Sequence, residues 1–295
     1  MTGNADRNED GFGPLVDVDW LLGHLDDPDL RLLDARYFLP SEPEDARESY
    51  RSGHLPGAVH ADIDALSAES ELPHMLPSPE RFAQAVAALG VGADSTVVVY
   101  DSRLALFSAA RIWWLFRMAG FARIAILDGG LPAWTARGLP LEQGDALPGI
   151  TAAVFVPGPA LESVCDSSAV LRMSREAPGQ IVDARGEARF QGIAPEPRPG
   201  LRSGHIPGSV NLPVPAFTGS DGRLLPPAAL RALFLERGVD LDRPLITSCG
   251  SGVTAAVAYL AARHAGAETV SLYDGSWSEW GDAARGFPIE SPGNA

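Results

Sequence analysis

Cysteine is scarce in this chain: its 295 residues include two, Cys165 and Cys249. Two thiols permit one bridge at most, and nothing else points to secretion. The first ten residues, Met1 to Asp10, are polar and lack the apolar core of a signal peptide. No apolar run is long enough to span a bilayer; Ile112-Trp113-Trp114-Leu115-Phe116 is cut off by Arg117. An excess of basic charge is missing too. The net charge of −15 argues against nucleic acid or an anionic membrane as the main partner, so any anionic ligand must be drawn in by a local basic site. These absences lead us to expect a cytoplasmic protein with free thiols, no membrane partner and no nucleic-acid partner.

The composition, 45% apolar and 21% charged, is that of a globular protein, and the length suggests about two domains. An internal repeat supports the division. Leu33-Asp34-Ala35-Arg36 followed by Tyr50-Arg51-Ser52-Gly53-His54-Leu55-Pro56-Gly57 returns as Val182-Asp183-Ala184-Arg185 followed by Leu201-Arg202-Ser203-Gly204-His205-Ile206-Pro207-Gly208. Leu127-Asp128-Gly129-Gly130 and Trp134 return as Tyr273-Asp274-Gly275-Ser276 and Trp280. So long a period marks a duplicated domain, not a solenoid. The Gly/Pro-rich stretch from Gln143 to Pro159 holds the boundary. We expect a polar extension over 1–14, a first domain over 15–142, a linker over 143–165 and a second domain over 166–292.

Within each half, short β-like runs alternate with helical patterns. Thr96–Tyr100, Ile124–Leu127 and Leu245–Ser248 read as buried strands, and 109–118 as a helix. Ser78-Pro79 and Pro226-Pro227 each open a helical pattern, closed by Gly90 and Gly238. Strands alternating with helices predict an α/β fold, each domain a mainly parallel sheet with helices on both faces.

Ligands of such sheets bind beyond the carboxyl ends of the strands, and Cys249 stands at one. It opens the loop Cys249-Gly250-Ser251-Gly252-Val253-Thr254 between the run Leu245–Ser248 and a helical pattern from Ala255. Backbone N–H groups converging on such a turn favour a thiolate nucleophile. The first half has Asp101 at the corresponding place, in a loop about two residues longer. A carboxylate cannot stand in for a thiolate nucleophile, so the first domain is expected to be catalytically silent.

Two halves with a Gly-His-x-Pro-Gly turn each, and one Cys-Gly-Ser-Gly-Val-Thr loop, resemble the two-domain rhodanese-like sulfurtransferases from about Leu15 to Pro292. The loop composition is similar to that of the 3-mercaptopyruvate-using branch; thiosulfate-using members usually carry basic residues directly after the cysteine, where this chain has Gly250 and Ser251. The resemblance implies tandem rhodanese-like domains and transfer of a sulfane sulfur from 3-mercaptopyruvate, through a persulfide on Cys249, to a thiol such as thioredoxin or to cyanide. Thiosulfate is the rival donor, and a persulfide carrier fed by a partner protein is a rival role. The resemblance implies no metal and no organic cofactor.

By the same resemblance Cys249 and Ser251 are catalytic, Gly250, Gly252, Val253 and Thr254 complete the active-site loop, and Arg189 and Arg198 bind the substrate carboxylate and carbonyl. Arg189 lies in Ala188-Arg189-Phe190, where relatives have glycine before the arginine; Arg198 ends Pro195-Glu196-Pro197-Arg198. A guanidinium fork matches a carboxylate and keeps its charge. His54, with Asp45 nine residues earlier, is a candidate for proton handling; a structural histidine is the alternative for His54 and for His205. The recurrent Asp34-Ala35-Arg36 and Asp183-Ala184-Arg185 point to architecture, because the silent half keeps them. Trp277 and Trp280 are expected in the core, and Cys165 as a bystander. Ala256 leaves no neighbouring thiol for a disulfide switch. A cysteine phosphatase is disfavoured, since the place six after the cysteine, where such loops carry their anion-gripping arginine, holds Ala255.

Overall fold

A computed structural model describes residues 12–39, 42–103, 106–145 and 153–291. Its elements run β1 (Leu15–Val16), α1 (Val18–His24), β2 (Leu30–Asp34), α2 (Ala46–Ser52), β3 (Val59–His60), α3 (Pro79–Ala88), β4 (Thr96–Tyr100), α4 (Ala109–Met118), β5 (Ile124–Leu127) and α5 (Gly130–Ala136). The second set is β6 (Val164–Cys165), α6 (Ser167–Glu176), β7 (Ile181–Asp183), α7 (Glu187–Phe190), β8 (Val210–Asn211), α8 (Pro227–Glu236), β9 (Leu245–Ser248), α9 (Ala255–His264), β10 (Val270–Tyr273) and α10 (Ser276–Trp280). No helix among the described residues is long and apolar enough to cross a membrane.

These elements form two parallel sheets of five strands, β1-β5-β4-β2-β3 and β6-β10-β9-β7-β8, each flanked by helices. The strands read as buried runs are the central ones. All five residues of β4, Thr-Val-Val-Val-Tyr, are buried, as are all four of β9. Sheets covered on both faces select such continuous apolar strands. The helices that follow, α4 and α9, are apolar on most sides, and Ala255 through Ala262 are all buried, as a helix without a polar face must be.

The register equates the two halves. Asp34 pairs with Tyr100, and Asp183 with Ser248, so Asp101 and Cys249 leave equivalent strand ends. At the preceding strand end, the Arg36 guanidinium donates to both oxygens of Asp34, at 2.9 and 2.7 Å, and to the Gly53 carbonyl. Arg185 repeats this with Asp183 and the Gly204 carbonyl. Removing one partner of so buried a pair costs roughly 3–5 kcal/mol, which accounts for the motif in both halves on architectural grounds.

A further repeat closes each half. Gly138-Leu139-Pro140-Leu141-Glu142 matches Gly286-Phe287-Pro288-Ile289-Glu290. Trp134 Nε1 donates to the Pro140 carbonyl at 2.8 Å, and Trp280 Nε1 to that of Pro288 at 2.7 Å. Glu142 and Glu290 form antiparallel bridges with His54 and His205, and their side chains accept the N–H of Gly57 and Gly208 in the Pro-Gly turns. Trp277 and Trp280 lie in the second core with Ile181, Ile246 and Tyr273.

Two compact units contain these sheets, and each takes a loop from the other half of the sequence. Among the described residues the first unit comprises 12–68, 76–161 and 220–224; the second comprises 69–75, 162–219 and 225–291. The segments 69–75 and 220–224 lie shortly before the matched helices α3 and α8, so they occupy corresponding places in the repeat. Strand β6, paired in parallel with β10, lies within the stretch 143–165 read as linker, where the sequence signal is too short to separate strand from connector. Part of that stretch, 146–152, lies outside the described residues, as do 1–11 of the N-terminal extension.

Candidate active site

The central strand β9 delivers Cys249 to its carboxyl end, where the residue is 1% exposed. The loop that follows is tied down by its carbonyls. Cys249 O accepts the N–H of Trp277 at 2.9 Å, and Gly250 O accepts the N–H and hydroxyl of Ser278, each at 2.8 Å. The Cys249 N–H donates to Ser276 Oγ at 3.1 Å, and that hydroxyl donates to the Tyr273 carbonyl. The N–H groups of Gly250, Ser251, Gly252, Val253 and Thr254 make no hydrogen bond among the described residues. A buried thiol thus borders five successive unsatisfied donors, an arrangement suited to an anion. Gly252 makes the turn at φ +77°, a value that favours glycine. Val253 is buried, and Thr254 opens α9 without a side-chain cap.

Ser276 is the unusual support. It has φ +47°, a left-handed conformation costing a non-glycine residue roughly 1–2 kcal/mol. The first unit has Gly130 at the matching place with φ +54°, where a β-carbon would come within 2.4 Å of the Asp101 carbonyl oxygen. The second unit tolerates the side chain, and its hydroxyl holds the Cys249 N–H.

In the first unit the equivalent loop is filled by its own residue. It runs from Asp101 to the cap Ser108, against Cys249 to Thr254 in the second unit, and is two residues longer; Leu104 and Ala105 lie outside the described residues. The fully buried Asp101 carboxylate accepts the N–H groups of Arg103 at 3.2 Å and Ser108 at 2.7 Å, with the Ser108 hydroxyl at 2.8 Å. Ser108 Oγ also contacts the Ala35 carbonyl. Burial pushes the Asp101 carboxyl up, against the pull of the Ser108 and Arg103 donors.

Ser251, 6% exposed, has its Oγ 3.1 Å from Nδ1 of His74, itself 4% exposed. His74 belongs to the loop 69–75 contributed to this unit, and its backbone is left-handed at φ +58°. No sequence motif singles it out. The signal is a break in the repeat: the helix starts Ser78-Pro79 and Pro226-Pro227 correspond, so His74 stands where the second half has Gly222.

Arg189, on the one-turn helix α7, brings Nη2 within 3.0 Å of where a β-carbon on Gly250 would lie. Its Nε and Nη2 donate to Glu196 Oε2, while Glu196 Oε1 accepts from Arg185 Nη1 at 2.8 Å. Burial alone would lower the Arg185 guanidinium, but Asp183 and then Glu196 hold it up. The Arg185 guanidinium also lies 4.2 Å from the centre of the Trp277 ring. Arg198 is half-buried and makes no hydrogen bond or ion pair among the described residues.

The two Gly-His-x-Pro-Gly turns use their histidines locally. His205 stacks on Phe190 at 3.9 Å and shares a 2.9 Å hydrogen bond through Nδ1 with the Phe190 carbonyl, steadying the residue next to Arg189. His54 stacks on Tyr50 at 4.2 Å, with Nδ1 at the Leu55 carbonyl. Asp45 caps α2, accepting the Glu48 N–H at 2.8 Å. Both lie in the first unit, and the histidine at the Ser251 hydroxyl is His74.

Comparison with known proteins agrees with this division. The family described as rhodanese-like domain matches residues 17–137 and 167–283. A 3-mercaptopyruvate sulfurtransferase of Escherichia coli strain K12 is 48% identical over 279 residues, covering 93% of this chain and 97% of the relative. Thiosulfate/3-mercaptopyruvate sulfurtransferase 1, mitochondrial, of Arabidopsis thaliana is 40% identical over 302 residues, 94% of this chain and 78% of the relative. The crystal structure of SseA from Escherichia coli, a 3-mercaptopyruvate sulfotransferase of rhodanese fold, superposes with a TM-score of 0.79 at 45% identity, covering 90% of this chain and 99% of that one.

Proposed function

Since this chain belongs to the two-domain rhodanese-like sulfurtransferases, we propose that it moves a sulfane sulfur from 3-mercaptopyruvate, through a persulfide on Cys249, to a thiol or to cyanide, releasing pyruvate. The observation that carries the reading is the buried Cys249 thiol beside five unsatisfied loop N–H groups, with the Ser251–His74 pair two residues on.

The Cys249 thiolate attacks the donor sulfur. A sulfur–sulfur bond forms, the carbon–sulfur bond breaks, and its electron pair leaves on the enolate of pyruvate. The proton of the donor's thiol ends on that carbon, giving pyruvate and a persulfide anion. Ser251 and His74 supply a hydroxyl and an imidazole through which the proton can pass. The free loop N–H groups stabilise the thiolate and then the persulfide anion. An acceptor thiol next takes the terminal sulfur, yielding its own persulfide and restoring the Cys249 thiolate; cyanide in its place leaves as thiocyanate.

Cys165 is the other free thiol and therefore the other candidate carrier. It lies on the edge strand β6, and burial, then Asp166 and Asp274, push it up to about 12. Its thiolate is scarce at neutral pH, which favours Cys249. The Arg189 and Arg198 guanidinium groups suit the carboxylate and carbonyl of a keto acid, and the neutral Gly250-Ser251 pair suits it better than the thiosulfate dianion. A reduced thioredoxin is an acceptor of the required chemistry, and a reducing cytoplasm is the setting in which both thiols stay free.

Steady-state turnover of both donors tests the reading, with cyanide and reduced thioredoxin as acceptors. We expect higher kcat/KM for 3-mercaptopyruvate; equal or better use of thiosulfate would refute the donor assignment.

A further inference from the structure

Glu196 is a buried acid that links two arginines. Its side chain is 2% exposed, with Oε1 on Arg185 and Oε2 on Arg189. Arg185 is also paired with Asp183, so the group holds two guanidinium charges and two carboxylates and is neutral as a whole. Arg189 therefore meets Gly250 of the cysteine loop with its charge already cancelled, although its fork still presents donors. Among the described residues the first unit has no such bridge: the equivalent Arg36 donates from Nη1 to the neutral hydroxyl of Ser49. Arg198, two residues past Glu196, has no ion-pair partner among the described residues and is the uncompensated cation of the segment.

We propose that Glu196 is a positioning and specificity-determining residue: it holds Arg189 against Gly250 and cancels its charge, so that the thiol site favours monoanionic over dianionic sulfur donors. The donor half of this inference rests on the sulfur-transfer reading; the charge half does not. A buried carboxylate shared by two guanidiniums fixes both forks in direction, since each nitrogen–oxygen contact constrains the other. A guanidinium so held directs hydrogen bonds to a keto acid without adding a full unit of field at the sulfur. Were Arg189 unpaired, two cations would face the donor, and a dianion such as thiosulfate would gain most.

The test compares two near-isosteric alkylating reagents at Cys249, neutral iodoacetamide and anionic iodoacetate, with modification followed by peptide mass spectrometry. In Glu196→Gln the rate ratio of iodoacetate to iodoacetamide should rise about fivefold, the scale of a partly screened unit charge. The kcat/KM ratio of thiosulfate to 3-mercaptopyruvate should rise with it. Adding Arg189→Gln, which restores charge balance, should return the reagent ratio toward that of the unmodified protein. If Glu196→Gln does not fold, the Arg189→Gln, Glu196→Gln pair is compared with Arg189→Gln alone, and must favour the anionic reagent more. An unchanged or lower reagent ratio overturns the charge role, and a raised reagent ratio with an unchanged donor ratio overturns the specificity role. Should the unmodified protein turn over neither donor, the sulfur-transfer reading has failed, while the reagent ratio still decides the charge role.

Discussion

The Ser251 hydroxyl lies 3.1 Å from Nδ1 of His74, a residue 177 positions earlier in the chain. The loop 69–75 that carries His74 comes from the first half of the sequence but belongs to the compact unit that holds Cys249. The pair has a defined use if the leaving group is an enolate, which must gain a proton.

Replacing either member should therefore act on donor chemistry. His74→Ala and Ser251→Ala are each expected to lower kcat for 3-mercaptopyruvate by roughly 10²–10⁴-fold, the range for a positioned acid–base group. Thiosulfate, whose sulfite product needs no proton on carbon, should be affected much less. Steady-state kinetics with both donors checks this; equal losses would mean that the pair maintains the loop rather than the proton.

The two thiols should differ sharply in reactivity. Burial first, then Asp166 and Asp274, push Cys165 up to about 12, so its thiolate becomes abundant only as the pH approaches that value. Iodoacetamide at neutral pH should modify Cys249 and spare Cys165. Peptide mapping after short exposure checks this. Cys165→Ser should leave sulfur transfer intact.

Asp101 fills the first unit's loop with its own carboxylate, and burial pushes that carboxyl up. The folded state then keeps a proton that the unfolded state releases near its ordinary value of about 3.9. This contribution to stability is full below that value and is lost as the pH rises through the folded one. Asp101→Asn lacks the titration, so its melting temperature should improve relative to the unmodified protein as the pH rises above about 4. A difference constant with pH would contradict the buried-acid account.

Ser276 combines an unfavourable backbone with a hydrogen bond to the Cys249 N–H. Ser276→Ala keeps the strain and loses the bond, and should cost roughly 1–3 kcal/mol, the penalty for a buried donor left unmade. Ser276→Gly relieves the strain and should recover part of that stability, but not the activity. Thermal melts beside turnover separate the two effects.

Much of this architecture was legible in local pattern. The helix expected over 109–118 is α4, and the run Leu245–Ser248 is strand β9; continuous burial and β-branched runs make such elements self-announcing. The Cys249 loop could be placed because a strand and a helix bracket it. His74 and Glu196 were not legible in the same way. Neither lies in a repeated motif, and each acquires its role from a partner supplied by tertiary structure: Ser251 for one, Arg185 and Arg189 together for the other. His54 and Asp45 drew notice because of their motif and spacing, yet their contacts are a turn carbonyl and a helix cap. Strand β6 escaped because two residues beside a Gly/Pro-rich stretch carry no period.

The central claim is that Cys249 carries the sulfane sulfur. It is tested most directly by exposing the purified protein to 3-mercaptopyruvate without acceptor and mapping its peptides under non-reducing conditions. The account predicts one added sulfur on the Cys249 peptide, formed with an equal amount of pyruvate and removed by cyanide as thiocyanate. Added sulfur on Cys165 instead, or undiminished pyruvate release by Cys249→Ser, would contradict it.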